Sequence, residues 1–198
     1  RSACSSADAM KPVAAGVDEH GDNEDVRQLV AASNVAAPRA LVNPYLYDEP
    51  VAPHLAAAAT GHPIALPVIA SAYAQLTTQA DAVVVEGVGG FCVPLGPELS
   101  AAQLPGALEL PVILVVGLRL GCLSHALLTA EAIAARGLTL AGWIANCVDP
   151  AMARRDENLA TLTRLLPAAH LGTIPYMDAP DPAAAAKRLT LPDAFTGA

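Results

Sequence analysis

Four short, mainly apolar runs are the feature of this sequence that most restricts its fold. The clearest is Ala82–Val85, which is β-branched and is bounded by Asp81 and Gly87. The others cover residues 112–116, 140–145 and 169–174. A run that is apolar at every position, rather than at alternate positions, is typical of a strand buried on both faces, as in a parallel sheet. We therefore expect four buried strands.

Stretches with helical periodicity accompany these runs. Residues 125–136 and 154–166 lie between the later strands, and residues 67–75 precede the first. Strands that alternate with helices predict right-handed βαβ units and an α/β fold with a doubly wound, mainly parallel sheet flanked by helices. Ligands of such sheets bind beyond the carboxyl ends of the strands. The candidate functional residues should therefore follow the apolar runs.

The beginning of the sequence has a weaker pattern. Residues 1–9 are small and polar, which predicts a frayed end rather than a strand. Residues 8–25 contain Pro12 and Gly16 and read as a loop, and the prolines at 44, 50 and 53 mark a second loop. Asn23, placed before an apolar stretch, is a typical helix start.

Composition restricts the class of protein. The 198 residues predict a single domain. With 54% hydrophobic and 15% charged residues, the chain cannot be a disordered acidic tail. The net charge of −8 argues against a nucleic-acid partner. The most apolar run, residues 110–118, is too short to cross a bilayer, so no membrane partner is expected.

The cysteines indicate the compartment. None of the four forms a C-x-x-C pair or fits the spacing of a zinc site. They are Cys4, Cys92, Cys122 and Cys147. We see no secretory signal, and we expect reduced thiols and a cytoplasmic location.

Glu86 follows the clearest strand and opens a glycine-rich segment that includes Gly89. A carboxylate at this edge can serve as a ligand of Mg²⁺, and glycines let the backbone approach a phosphate or a metal. The alternative is a tight turn with an exposed glutamate. Lys11 and Asp25 could take part in binding the same phosphate and Mg²⁺. Single charged residues on loops are, however, more often solvated surface residues.

The helix that follows residues 112–116 starts near Cys122 or Ser124, after Gly121. The first amides of a helix lack partners within it and attract a carboxylate or a phosphate. The alternative is an ordinary helix entry capped by Ser124. Asn146 ends the next strand, where its amide can bind the edge of a heterocycle or simply form a turn.

Taken together, these segments resemble dethiobiotin synthetases. The similarity runs in order through K-P-V-A-A-G (residues 11–16), N-E-D (23–25), N-P-Y (43–45), V-E-G-V-G-G (85–90), P-V-I-L-V-V-G-L-R-L-G-C-L-S-H-A-L-L-T-A (111–130), A-G-W-I-A-N (141–146) and L-G-T-I-P (171–175). Each match is short, but the whole series keeps the order and the spacing of the family from residue 10 to residue 176.

The resemblance implies a P-loop-NTPase-like homodimer. Its substrates would be diaminononanoate, CO2 and ATP, with Mg²⁺ as cofactor. Lys11 would hold the carbamate and the γ-phosphate and act in catalysis, while Asp25 and Glu86 would organise Mg²⁺. ATP would contact Asp25, Glu86, Gly89, Asn146 and Pro175. The substrate carboxylate would bind Gly121, Cys122, Leu123 and Ser124 across the dimer interface.

The sequence also departs from the family. It contains no G-x-x-x-x-G-K-[ST] motif, so we expect an N-terminally incomplete domain that lacks the first strand, the phosphate loop and the first helix, and a chain without turnover. Ala15, Cys147 and Asn158 replace residues that are common in the family. A non-catalytic relative that binds ligand or dimerises is the alternative function. The N-P-Y and L-G-C-x-x-H-A segments argue against another amidoligase of the same fold.

Overall fold

The computed structural model describes residues 6–191, which divide into two compact units. The first unit is Arg1–Glu109 and the second is Leu110–Ala198. No helix within the described range is long and apolar enough to cross a membrane.

The first unit contains two pairs of parallel strands. In the first pair, β1 (Ala7–Met10) lies beside β4 (Ala82–Val85) with Met10 opposite Val85. In the second, β2 (Val13–Ala15) lies beside β3 (Tyr45–Tyr47). Its helices are α1 (Glu24–Ala32), α2 (Arg39–Val42), α3 (Pro53–Thr60), α4 (Leu66–Leu76) and α5 (Leu104–Ala107). Because β1 and β4 run in parallel, the residues that follow them emerge at the same edge.

Strands β1 and β2 show that two sequence predictions were wrong. Residues 7–9 are not a frayed end, and residues 8–25 are not one loop; residues 1–5 lie outside the described part. The segments lack the β-branched run that indicates a strand, so their structure comes from pairing and burial. Met10, Val13 and Ala14 are almost inaccessible to solvent. The proline-marked second loop likewise contains β3.

Strand β4 is present as predicted, but it is not buried on both faces. Val84 is 57% exposed, and so is Val115 in the strand that opens the second unit. Among the described residues, β4 pairs with one strand, β1. A continuous apolar run therefore predicted the strand correctly and its burial incorrectly.

The second unit is a three-stranded parallel sheet with helices. Its strands β5 (Val112–Gly117), β6 (Leu140–Asn146) and β7 (His170–Ile174) lie in chain order. Its helices are α6 (Cys122–Ala134), α7 (Arg155–Leu165) and α8 (Pro182–Ala186). Trp143, Leu118 and Leu162 are fully buried in its core. The three strands and the two larger helices agree with prediction to within a few residues.

Candidate functional site

Lys11, Asp25 and Glu86 form a compact charged cluster in the first unit. The Lys11 Nζ atom lies 2.8 Å from Asp25 Oδ2 and 2.5 Å from Glu86 Oε1. It also donates a hydrogen bond to the Gly87 carbonyl oxygen at 3.2 Å. Residues from three separate segments thus meet at one ammonium group. The structure places Glu86 directly after β4 and brings it and Asp25 to the same ammonium group.

The parallel register of β1 and β4 explains how Lys11 and Glu86 meet. Each is the first residue after its strand, and the Glu86 amide donates to the Met10 carbonyl at 2.8 Å. The Lys11 amide donates to the Val42 carbonyl at 2.8 Å, and the Asn43 side chain donates to the Lys11 carbonyl at 2.6 Å. The backbone of Lys11 is therefore fixed on both sides, and only its side chain can move.

The electrostatics of the cluster keep Lys11 charged. Burial of the ammonium lowers the pKa of Lys11, but the hydrogen bonds and charges of Asp25 and Glu86 outweigh it and raise the pKa above its ordinary value. The lysine side chain is 6% exposed, whereas those of Asp25 and Glu86 are 56% and 45% exposed. The site is thus a buried cation beneath two carboxylates that water can reach.

Asn23 connects the helix that carries Asp25 to the segment that carries Lys11. Its Oδ1 atom caps α1 by accepting from the Val26 amide at 3.2 Å, and its Nδ2 atom donates to the Gly16 carbonyl at 2.8 Å. The sequence indicated Asn23 as a helix start but did not reveal this bridge. The N-E-D segment was the available signal, because it places a capping residue two positions before Asp25.

Charged pairs hold the loop before α1. Arg27 contacts Asp18 at 2.8 Å, and Arg39 contacts Asp22. The hydrogen bond from Arg27, followed by bonds from the backbone amides of Asp22 and His20, lowers the pKa of Asp18 to about 2. These pairs are partly exposed, so each adds little stability on its own.

Replacing Asn23 with alanine should lower the free energy of unfolding by about 1 kcal/mol, because the helix cap is lost. Asn23→Ser keeps a capping oxygen but cannot reach Gly16, so it should cost less. Urea unfolding curves of the two variants and the parent measure the difference. Equal unfolding midpoints for the alanine variant and the parent would contradict the cap.

The chemistry of Asp25 and Glu86 fits Mg²⁺. This ion is usually held by one or two carboxylates together with waters and phosphate oxygens, rather than by an all-protein cage. Within residues 6–191, no group of three or more histidine, cysteine or acidic residues that could hold a metal occurs. The two half-exposed carboxylates leave room for oxygens from another ligand.

Gly89 lies in the segment after Glu86 and adopts a left-handed backbone with φ +64°. A Cβ atom there would lie 3.1 Å from a Val93 methyl group. A side chain at this position is therefore disfavoured both by conformation and by space. Its predicted contact with ATP remains a prediction.

In the second unit, the strand ends bring two other predicted residues to one edge. Gly117, Asn146 and Ile174 are opposite one another in the sheet, so Asn146 and Pro175 lie at the same edge. Helix α6 begins at Cys122, with Gly121 in a left-handed conformation (φ +93°) and no side chain capping it. The alternative in which Ser124 caps this helix is therefore wrong.

Comparison with known proteins defines the class of this fold. A family model described as an AAA domain matches residues 2–184. The match and the parallel α/β architecture assign the chain to the P-loop-NTPase-like proteins, as predicted.

Two curated relatives define the family within this class. The ATP-dependent dethiobiotin synthetase BioD of Ralstonia nicotianae is 58% identical over 185 residues, which are 92% of this chain and 81% of the relative. That of Aromatoleum aromaticum is 56% identical over 190 residues, covering 94% and 84% respectively. The chain belongs to the dethiobiotin synthetase family, and the resemblance found in the sequence is confirmed.

Proposed function

We propose that this chain carries the site of an ATP- and Mg²⁺-dependent ligase that makes dethiobiotin from 7,8-diaminononanoate and CO2, a step of biotin biosynthesis. The observation that carries the proposal is the Lys11 ammonium held between Asp25 and Glu86. The printed names of the two relatives support the ATP-dependent synthesis.

The proposed reaction has three stages. One amine of the substrate adds to CO2 and loses a proton, giving a carbamate. A carbamate oxygen then attacks the γ-phosphorus of ATP, which forms a carbamic-phosphoric anhydride and releases ADP. Finally the second amine attacks the carbonyl carbon and loses a proton, phosphate leaves with the bonding electrons, and the ureido ring closes. The barrier falls mainly through positioning and through stabilisation of charge on the transferring group.

The residues of the first unit would have separate roles in this reaction. Lys11 would donate hydrogen bonds to the carbamate and the transferring phosphate, where a cation is most effective. Asp25 and Glu86 would hold Mg²⁺, which when bound neutralises charge on the phosphate oxygens. Gly89 would let the backbone approach the nucleotide.

The residues of the second unit would bind one group of each of two substrates, ATP and diaminononanoate. Asn146 and the backbone of Pro175 would hold adenine through amide and carbonyl groups. The open start of α6, from Gly121 to Ser124, would bind the carboxylate of diaminononanoate. We also propose a homodimer in which this helix lies near the interface. In support, Leu120 in the turn before α6 is 97% exposed, and Leu128 on α6 is 61% exposed.

A reducing, cytoplasmic location completes the proposal. The free thiols of Cys92, Cys122 and Cys147 support this proposal. Fractionation of cells that produce the tagged protein, followed by immunoblotting, tests the location.

In a version of the chain extended by a segment that carries G-x-x-x-x-G-K-[ST], replacing Gly121 with aspartate should raise the KM for diaminononanoate by about 2- to 5-fold, because a negative charge opposes the bound carboxylate at the helix start. The KM for ATP should stay nearly unchanged. Gly121→Asn is the matched control, since it introduces the same backbone strain at φ +93° without charge. An equal effect of both variants would show that strain, and not charge, is responsible.

The function is tested with a version of the chain extended by a segment that carries G-x-x-x-x-G-K-[ST]. Supplied with diaminononanoate, bicarbonate and MgATP, it should release ADP and phosphate in step with dethiobiotin, measured by mass spectrometry. Tight nucleotide binding without product would favour the non-catalytic alternative.

A further inference from the structure

We propose that Lys11 and a divalent cation compete for one position between Asp25 and Glu86, so that metal binding releases the Lys11 ammonium to the anionic substrate. This inference rests on the proposed function, since the metal is part of it. It adds an order of events: the metal must reach the carboxylates before Lys11 can act.

The hydrogen-bond donors of the Lys11 ammonium are fully engaged. An ammonium group has three N–H donors and no acceptor. The Lys11 ammonium has three acceptors around it: Asp25 Oδ2, Glu86 Oε1 and the Gly87 carbonyl oxygen. With all three donors engaged and its side chain buried, Lys11 has none left for a carbamate or a phosphate. In this arrangement Lys11 cannot donate to a substrate until another cation takes its place between the carboxylates.

The two carboxylates lie close enough together to share one metal ion. Asp25 Oδ2 and Glu86 Oε1 both contact the same nitrogen, at 2.8 Å and 2.5 Å. The two oxygens can therefore be no farther apart than these two distances laid end to end. Magnesium binds oxygen at about 2.0–2.1 Å, so a metal ion near the place of Nζ reaches both carboxylates after a small side-chain shift. Lysine and metal cannot occupy that place together.

The Lys11 side chain is freer to move than its backbone. The backbone of Lys11 is bound by Val42 and Asn43, so the segment stays in place. The four-carbon stem of the lysine is flexible and can carry the ammonium away. The carboxylates are half-exposed, so a hydrated ion can approach them from solvent. A doubly charged ion at a shorter distance attracts both carboxylates more strongly than the ammonium does.

The proposal leads to an expected gain of metal affinity when the lysine is removed. Lys11→Met keeps the length and volume of the side chain but deletes the competing charge. We expect the affinity of the protein for Mn²⁺, measured without nucleotide by electron paramagnetic resonance of the free ion, to rise about tenfold, equivalent to ~1.4 kcal/mol. Lys11→Gln serves as a second variant if the methionine variant folds poorly by circular dichroism.

The chain offers a matched control and an internal reference. It has two lysines, and the second, Lys187, is exposed in the second unit. Lys187→Met removes the same charge and should leave Mn²⁺ affinity unchanged. In the parent protein, acetylation of Lys11 by a water-soluble ester, measured relative to Lys187 by mass spectrometry, should increase several-fold when Mn²⁺ is added.

The outcomes separate this inference from the function on which it rests. Tighter Mn²⁺ binding by Lys11→Met, abolished by adding Asp25→Asn and Glu86→Gln, supports the exchange. If parent and Lys11→Met bind Mn²⁺ equally well through these carboxylates, the metal site stands and the exchange is wrong. If the gain persists without the carboxylates, or if no variant binds Mn²⁺ at millimolar concentration, the exchange is overturned. In the last case the proposed metal site fails with it.

Discussion

A polypeptide of these 198 residues should form no detectable dethiobiotin from diaminononanoate, bicarbonate and MgATP. Its sequence contains no G-x-x-x-x-G-K-[ST] segment, whose backbone amides and lysine cradle the phosphates in P-loop enzymes. Losing one well-placed donor at a transition state typically costs about 10²–10³ in rate, and here several would be absent together. Product analysis by mass spectrometry after long incubation measures the effect.

The control for this experiment is the extended chain that carries the phosphate-loop segment. It should restore turnover, while a version with the loop lysine changed to alanine should not. Robust dethiobiotin formation by the 198-residue polypeptide itself would show that residues 1–198 suffice to hold the transferring phosphate. Another group that stabilises the charge of the transferring phosphate would then have to be identified.

In the extended enzyme, Lys11→Met should lower kcat/KM by about 10²–10³, because the variant removes a cation aimed at the transferring group. The same substitution is expected to tighten metal binding, so its two effects have opposite signs. Steady-state kinetics with each substrate varied in turn measure the loss, and Lys187→Met provides the matched control.

A reduced kcat with an unchanged KM for MgATP would place the role of Lys11 in the transition state. A variant with nearly parental kcat/KM would remove Lys11 from the catalytic residues. A loss of similar size in Lys187→Met would instead indicate a general effect of reduced positive charge, contrary to the proposal.

The sequence predicted those parts of the fold whose signal is local. Ala82–Val85 is a β-branched run, and it forms a strand with these bounds. Helix α6 begins at Cys122, as the glycine before it suggests. Strand β1, with the sequence Ala-Asp-Ala-Met, has no such signal. Strand β1 forms because it pairs with β4. That partner lies far away along the chain, so no local sequence pattern could reveal it.

The candidate site shows the same division. That Glu86 lies at the end of a strand follows from the apolar run before it, whereas no signal in the sequence indicated that Asp25, in the first turn of α1, comes close to it. The sequence does not predict that one ammonium contacts both carboxylates and a carbonyl, because tertiary packing decides the rotamers and the side-chain contacts. The sequence also did not predict the hydrogen bond from Asn23 to Gly16. A capping residue is identified from the helix that follows it, and this pattern carries no information about its other contacts.

The position of the single tryptophan gives the protein a built-in spectroscopic reporter. Trp143 is fully buried in the second unit and stacks on His170 with ring centroids 4.4 Å apart. The buried tyrosines, Tyr45 and Tyr47, belong to the first unit. Tryptophan fluorescence during denaturation therefore follows the second unit, whereas tyrosine absorbance is weighted towards the first. Coincident transitions would mean that the two units melt as one cooperative body, and separated transitions that each folds independently.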